Sequence, residues 1–191
     1  MQYKVVVTDY VFPNLDIEKE ELAKIGGQLV ECPASDEESI IAEAKDADAV
    51  LVCYAELSER AVSSLEKCRV ISRYGIGVNN INIPAANKKG IAVTFVPDYC
   101  VEEVSDHALS LILACSRKVC QLNSTVKGGT WDFKAQRPLF RLRGRTLGLV
   151  GFGKIPRRLA EKVAAYDFTI LAYDPYADKS QAEKLGVKLV E

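Results

Sequence analysis

The run Leu147-Gly148-Leu149-Val150-Gly151-Phe152-Gly153-Lys154-Ile155-Pro156, followed by Ile170-Leu171-Ala172-Tyr173-Asp174, restricts this chain more than any other feature. It reads as a strand, a glycine turn, a helix start and a second strand ending on an acid, which is the βαβ unit of a parallel sheet. Gly151 suits the tight turn, and a bare backbone at Gly153 lets a pyrophosphate approach the amides of Lys154 and Ile155 that open the helix. A carboxylate at the tip of the second strand, about 20 residues on, accepts both ribose hydroxyls of an adenosine and repels a 2′-phosphate. Asp174 therefore points to NAD over NADP. Pro156 stands where the usual pattern has a third glycine, and the first helical turn tolerates it because the N–H it lacks has no partner there. The alternative for these residues alone is a βαβ unit with an incidental turn. Arg157 and Arg158 add charge near the phosphates, or belong to a solvated helix face.

The 191 residues allow one large domain or two small ones, with roughly 70% of the extended surface buried on folding. A hydrophobic content of 48% and a formal charge of −1 are those of an ordinary globular chain, with no basic excess for direct nucleic-acid or anionic-membrane binding. No apolar run reaches the roughly 18 residues of a membrane span, and the start, Met1 to Thr8, reads as a short strand and not as a signal peptide. A cytoplasmic protein is expected. Cys32, Cys53, Cys68, Cys100, Cys115 and Cys120 lack CxxC spacing and a companion histidine cluster, so neither a metal site nor a disulfide framework is expected. Cys100 precedes a helix pattern, where a reactive thiol is the alternative and a structural role the default. His107, the only histidine, lies within that pattern, where packing or a cofactor-edge role is favoured over catalysis.

Apolar runs at Val5–Val7, Gln28–Val30, Ala49–Val52, Val70–Ile71 and Ile91–Phe95 alternate with amphipathic stretches at about residues 16–25, 36–46, 58–67 and 82–88. That alternation predicts a parallel sheet covered by helices. Ser35-Asp36-Glu37-Glu38 has capping-box spacing, Ser58 caps the next helix, and Gly26-Gly27 stops the first. From Val101 to about Lys127 the pattern predicts one long helix, apolar on many sides and on the order of 40 Å, enough to bridge two domains. A polar connector with aromatic residues runs from Gly128 to Arg145, and a short helix at Lys179–Leu185 and a strand at Val187–Val190 follow Asp174.

Three motifs in order, Arg73-Tyr74-Gly75-Ile76-Gly77-Val78-Asn79-Asn80-Ile81, then Val96 through Leu109, then Gly151-Phe152-Gly153-Lys154-Ile155 with Asp174, give the chain a family resemblance. It resembles the D-isomer-specific 2-hydroxyacid dehydrogenases, in their phosphoglycerate dehydrogenase and C-terminal-binding-protein branches, and matches their N-terminal part only. The resemblance implies an α/β fold: a flavodoxin-like parallel-sheet substrate domain at residues 1–98, closing against the first part of a Rossmann NAD-binding domain at residues 99–191. It implies that Gly75, Gly77 and Val78 present amides to a substrate carboxylate, that Tyr54-Ala55 borders the substrate, and that Ile76 touches the cofactor held by Gly151, Gly153, Lys154, Ile155 and Asp174. Bare glycines let consecutive N–H groups converge on an anion, although a simple strand-end turn explains the same residues. Asn79 and Asn82 stand where family members often have Asp.

The implied activity is hydride transfer between NAD(H) and a 2-hydroxy or 2-keto acid. In the family this depends on an arginine, a histidine and an acid in later parts of the nucleotide domain, none of which this chain matches. No catalytic residue is therefore assigned, and the chain is expected to be truncated and inactive alone. An incomplete sheet exposes an edge near Leu147–Val150, which predicts a homodimer with much of its surface from about residues 101–145. The competing reading is an NAD-responsive dimerisation or corepressor-like binding protein without catalysis. A flavin-phosphate protein would need a phosphate loop after the first strand, and Thr8-Asp9-Tyr10-Val11-Phe12-Pro13 does not supply one.

Overall fold

Short β-branched runs become strands and the amphipathic stretches between them become helices, because each strand must bury its apolar side chains against a covering helix. The computed structural model describes residues 3–132 and 134–191. Met1 and Gln2 of the expected first run, and Phe133 of the expected connector, lie outside the described residues. Two compact units result, Met1–Pro97 and Asp98–Glu191.

In the first unit, β1 (Tyr3–Val7), β2 (Gly27–Glu31), β3 (Ala49–Val52), β4 (Val70–Arg73) and β5 (Ala92–Thr94) form a parallel sheet in the order β2-β1-β3-β4-β5. This is the flavodoxin-like order, with its reversal between β1 and β3. The crossovers are α1 (Asp16–Ala23), α2 (Glu37–Ala44), α3 (Glu59–Ser64) and α4 (Ile83–Lys88). Right-handed crossovers put α2, α3 and α4 on one face and α1 alone on the other. In keeping with this, α3 packs on both α2 and α4. Their face holds a core of Val6, Ile40, Val50, Val52, Val62, Leu65 and Ile71. Beside α1, by contrast, Val5, Ala49, Leu51 and Val70 line an open cleft of about 880 Å³. The caps are local: Ser58 accepts from the Ala61 N–H and Asn82 from the Ala85 N–H. The cap of α2 is Asp36 and not Ser35, because its carboxylate accepts both the N–H and the hydroxyl of Ser39.

In the second unit, α5 (Val101–Ser116) and α6 (Val119–Lys127) precede β6 (Thr146–Val150), α7 (Lys154–Lys162), β7 (Thr169–Tyr173), α8 (Lys179–Lys184) and β8 (Val187–Leu189). The strands are parallel in the order β6-β7-β8, the arrangement of the first half of a doubly wound sheet. The single long helix expected from Val101 to Lys127 is instead two helices. Lys118 takes a left-handed conformation at φ 52, so α5 stops after 16 residues, or about 24 Å. Nor is α5 buried on several sides among the described residues. Ser105 is buried, and Ala108, Leu109 and Ile112, at helical spacing from it, pack on the core of Leu149, Leu159, Val163 and Ile170. The sheet and α7 reach only that stripe, and Val104 and Leu111 of α5, with Val119 and Val126 of α6 and Trp131 beyond it, remain exposed.

Candidate nucleotide and acid sites

Register places Val150 beside Tyr173, so the glycine loop after β6 and the acid after β7 emerge side by side. Gly151, at φ 93, turns the chain while its N–H donates to the Tyr173 carbonyl at 2.7 Å. The next N–H, of Phe152, donates to Oδ2 of Asp174 at 2.7 Å, and the Tyr176 N–H donates to Oδ1 at 2.8 Å. These two donors, that of Phe152 first, hold the Asp174 carboxyl below the usual carboxylate range, so it is ionised at neutral pH. Gly153 then caps α7 with no side chain bonded to the helix start. The N–H groups of Gly153, Lys154 and Ile155 have no acceptor among the described residues. A Cβ on Gly153 would meet no atom within 4 Å, and its φ of −71 is open to any residue. No contact among the described residues requires glycine there, and its bareness leaves the amides open to an anion.

The basic residues of α7 divide. Arg158 pairs with Glu102 at 2.6 Å and with Glu161 at 2.6 Å, while Lys162 pairs with Glu102 at 3.0 Å and Asp106 at 2.5 Å. Arg158, and next Lys162, pull the Glu102 carboxyl below its usual range. This network joins α5 to α7, so Arg158 belongs to a helix face. Lys154 directs its ammonium to Asp98 and contributes only its amide to the loop. Arg157 stays near the loop, its Nε donating to the Gly153 carbonyl at 3.2 Å.

In the first unit, the end of β4 and the loops after β3 and β4 bring Tyr54, Glu56, Arg73, Gly77, Asn79 and Asn80 around a cleft of about 480 Å³. The Gly75 N–H is not available to an anion, because it donates to the Arg73 carbonyl at 2.8 Å. The N–H groups of Ile76, Gly77 and Val78 have no acceptor among the described residues. Gly75 is glycine for another reason: a Cβ there would fall 1.8 Å from Nη1 of Arg73. The Arg73 guanidinium occupies that space, its Nε donating to the Cys53 carbonyl at 3.2 Å and its central carbon 5.9 Å from the centroid of the Tyr54 ring.

Sequence reading missed Asp9. Its Oδ1 accepts from the Cys53 N–H at 3.0 Å and its Oδ2 from the Tyr54 N–H at 2.6 Å, which fixes the loop after β3. Burial opposes the charge, but these N–H donors and the Thr8 hydroxyl outweigh it and lower the pKa. The available signal was an acid at the end of the first strand, where the ends of β1 and β3 converge at the reversal of strand order. Asn80 braces the same loop, donating to the Ala55 carbonyl at 2.8 Å. His107 is exposed on α5 with no acidic partner among the described residues. All six cysteines are free thiols. No helix among the described residues is long and apolar enough to cross a membrane.

A flavodoxin-like sheet followed by a βαβ unit with open amides and a spaced acid defines a class: parallel α/β proteins of dehydrogenase architecture. The chain belongs to the D-isomer specific 2-hydroxyacid dehydrogenase family, whose catalytic-domain model matches residues 5–188. It is 33% identical over 189 residues to the D-3-phosphoglycerate dehydrogenase of Methanocaldococcus jannaschii, covering 98% of this chain and 35% of that enzyme. It is also 33% identical over 177 residues to the glyoxylate reductase of Thermofilum pendens, covering 90% of this chain and 52% of that one. Among solved structures, the D-lactate dehydrogenase of Aquifex aeolicus, complexed with NAD and lactic acid, has a TM-score of 0.84 at 23% identity, over 98% of this chain and 56% of its own. The chain thus spans about a third to a half of the length of these relatives.

Proposed function

We propose that this chain supplies the acid-binding unit and the first half of the nucleotide unit of an NAD-dependent 2-hydroxyacid dehydrogenase. The observation that carries this reading is the Phe152 N–H bond to Asp174, which joins the open amides of the glycine loop to a ribose-binding carboxylate. The amides of Gly153, Lys154 and Ile155 receive the pyrophosphate, and Asp174 receives the adenosine ribose and disfavours a 2′-phosphate. When bound, the nicotinamide supplies the hydride acceptor or donor. In the first unit the amides of Ile76, Gly77 and Val78 hold the substrate carboxylate, and the Tyr54 loop, held by Asp9, borders the acid. Titration of the purified chain with NADH and with NADPH, followed by cofactor fluorescence, tests the reading. Saturable binding of NADH is expected, with NADPH weaker and the preference lost in D174N. No saturable change with NADH at millimolar concentration would refute it.

The 191-residue chain itself turns over little or no 2-keto acid. Its sole histidine lacks an orienting acid among the described residues, and general-base catalysis is commonly worth about 10² to 10⁴ in rate. Measurable NADH oxidation with glyoxylate or pyruvate would overturn this.

The exposed residues of α5 and α6 favour a second reading, an NAD-responsive dimerisation protein. Dimerisation driven by NAD with no turnover at any chain length supports that reading. Turnover by a longer form supports the first. In both, the exposed stripe of α5 and α6 contributes to a homodimer.

A further inference from the structure

We infer that the cleft at the ends of β3 and β4 takes small 2-hydroxy or 2-keto acids carrying a single negative charge and rejects phosphorylated ones. Arg73 receives the carboxylate, and Glu56 is the specificity residue that turns a phosphate away. The inference deepens the proposed role of the Ile76–Val78 loop and rests on it.

Arg73 has no carboxylate partner among the described residues. Its Nε is committed to the Cys53 carbonyl, its guanidinium carbon lies over the Tyr54 ring, and Gly75 leaves it room, so the guanidinium is held in place with donors to spare. A fixed, unpaired guanidinium beside free amides attracts a carboxylate and loses little side-chain freedom on binding it. The rest of the lining decides which carboxylate. Besides Arg73 the only charged residue there among the described residues is Glu56, and Tyr54, Gly77, Asn79 and Asn80 are neutral, so the formal charges of the described lining cancel. Glu56 is exposed and has no cation partner among the described residues. A monoanion neutralises Arg73 and leaves Glu56 to accept from a hydroxyl on the acid. A phosphorylated acid brings roughly a further −1.5 to −2 of charge. It finds no second cation in the lining and meets the Glu56 carboxylate.

D-glycerate and 3-phospho-D-glycerate differ only by the phosphate, which makes them the decisive pair. Each is titrated into the isotopically labelled 191-residue chain while the backbone resonances of Ile76, Gly77 and Val78 are followed. D-glycerate is expected to move these resonances and to bind about tenfold more tightly than its phosphorylated form, the size of a modest like-charge repulsion. Glu56→Gln, a change to an exposed side chain, is expected to narrow that ratio, and Glu56→Lys to reverse it. Arg73→Gln is expected to abolish binding of both acids, with Arg73→Lys losing less. Equal or tighter binding of 3-phospho-D-glycerate at these amides would overturn the inference while leaving the loop's role intact. A ratio unmoved by both Glu56 variants would overturn the assignment to Glu56. If neither acid moves these resonances, the proposed role of the loop itself fails.

Discussion

Gly75, Gly151 and Gly153 are glycines for three different physical reasons, and an alanine at each separates them. At Gly151 the φ of 93 imposes strain on any Cβ, so G151A should lose about 1–2 kcal/mol of stability along with cofactor binding. At Gly153 the backbone is ordinary and nothing lies within 4 Å, so G153A should stay within about 1 kcal/mol of wild type and still lose NADH binding. At Gly75 the new methyl pushes the Arg73 guanidinium away from the Cys53 carbonyl and the Tyr54 ring while meeting no backbone atom of the described residues as closely, so G75A should fold and lose affinity for small acids. Thermal melts and ligand titrations of the three variants check this ordering. Asp9 acts at the same scale. Removing its carboxylate leaves the N–H groups of Cys53 and Tyr54 without acceptors, so D9A should cost about 1–3 kcal/mol at neutral pH. Because folding lowers its pKa, this stabilisation is full above the ordinary value of 3.8 and is lost as pH falls through the lower folded value. Wild type should therefore lose more stability than D9A on acidification below about pH 4, as read by denaturant titration at several pH values. Asp9 could not be read from the sequence because its partners lie 44 and 45 residues away. Nor was the spent amide of Gly75 legible, since a glycine pattern does not say which N–H groups the chain itself consumes.

The strands and most helices were legible because sheet and helix periods alternate so plainly: Ala49–Val52 is β3 as expected, and the strand, turn, helix and strand from Leu147 to Tyr173 hold together. Pro156 sits in the first turn of α7 without breaking it. The break between α5 and α6 was not legible, since neither Gly nor Pro marks it. Lys118 carries the left-handed turn at a steric cost that glycine avoids. Lys118→Gly should therefore raise stability, by up to about 1 kcal/mol after glycine's larger entropy loss, measured as the shift in urea midpoint. The cap of α2 shifted from Ser35 to Asp36 because a carboxylate serves two donors of Ser39 where a hydroxyl would serve fewer.

Both sheets are parallel, and parallel sheets ordinarily have both faces covered. Among the described helices of the first unit, α1 alone serves one face of its sheet, and in the second unit β6 is an edge strand whose Val150 is 93% exposed. With Val104, Leu111, Val119 and Val126 also open, self-association is expected as concentration rises into the micromolar range. Sedimentation should detect it, and Leu111→Glu, which alters a side chain outside the stripe packed on the second core, should shift the chain toward monomer without lowering its melting temperature. A chain that stays monomeric throughout would contradict the proposed interface. Trp131, beyond α6, is the only tryptophan and is 90% exposed. Its indole already senses water in the native protein, so its emission should barely respond to unfolding. It should move to the blue when another surface covers it, giving the protein an intrinsic optical reporter of encounter and not of denaturation.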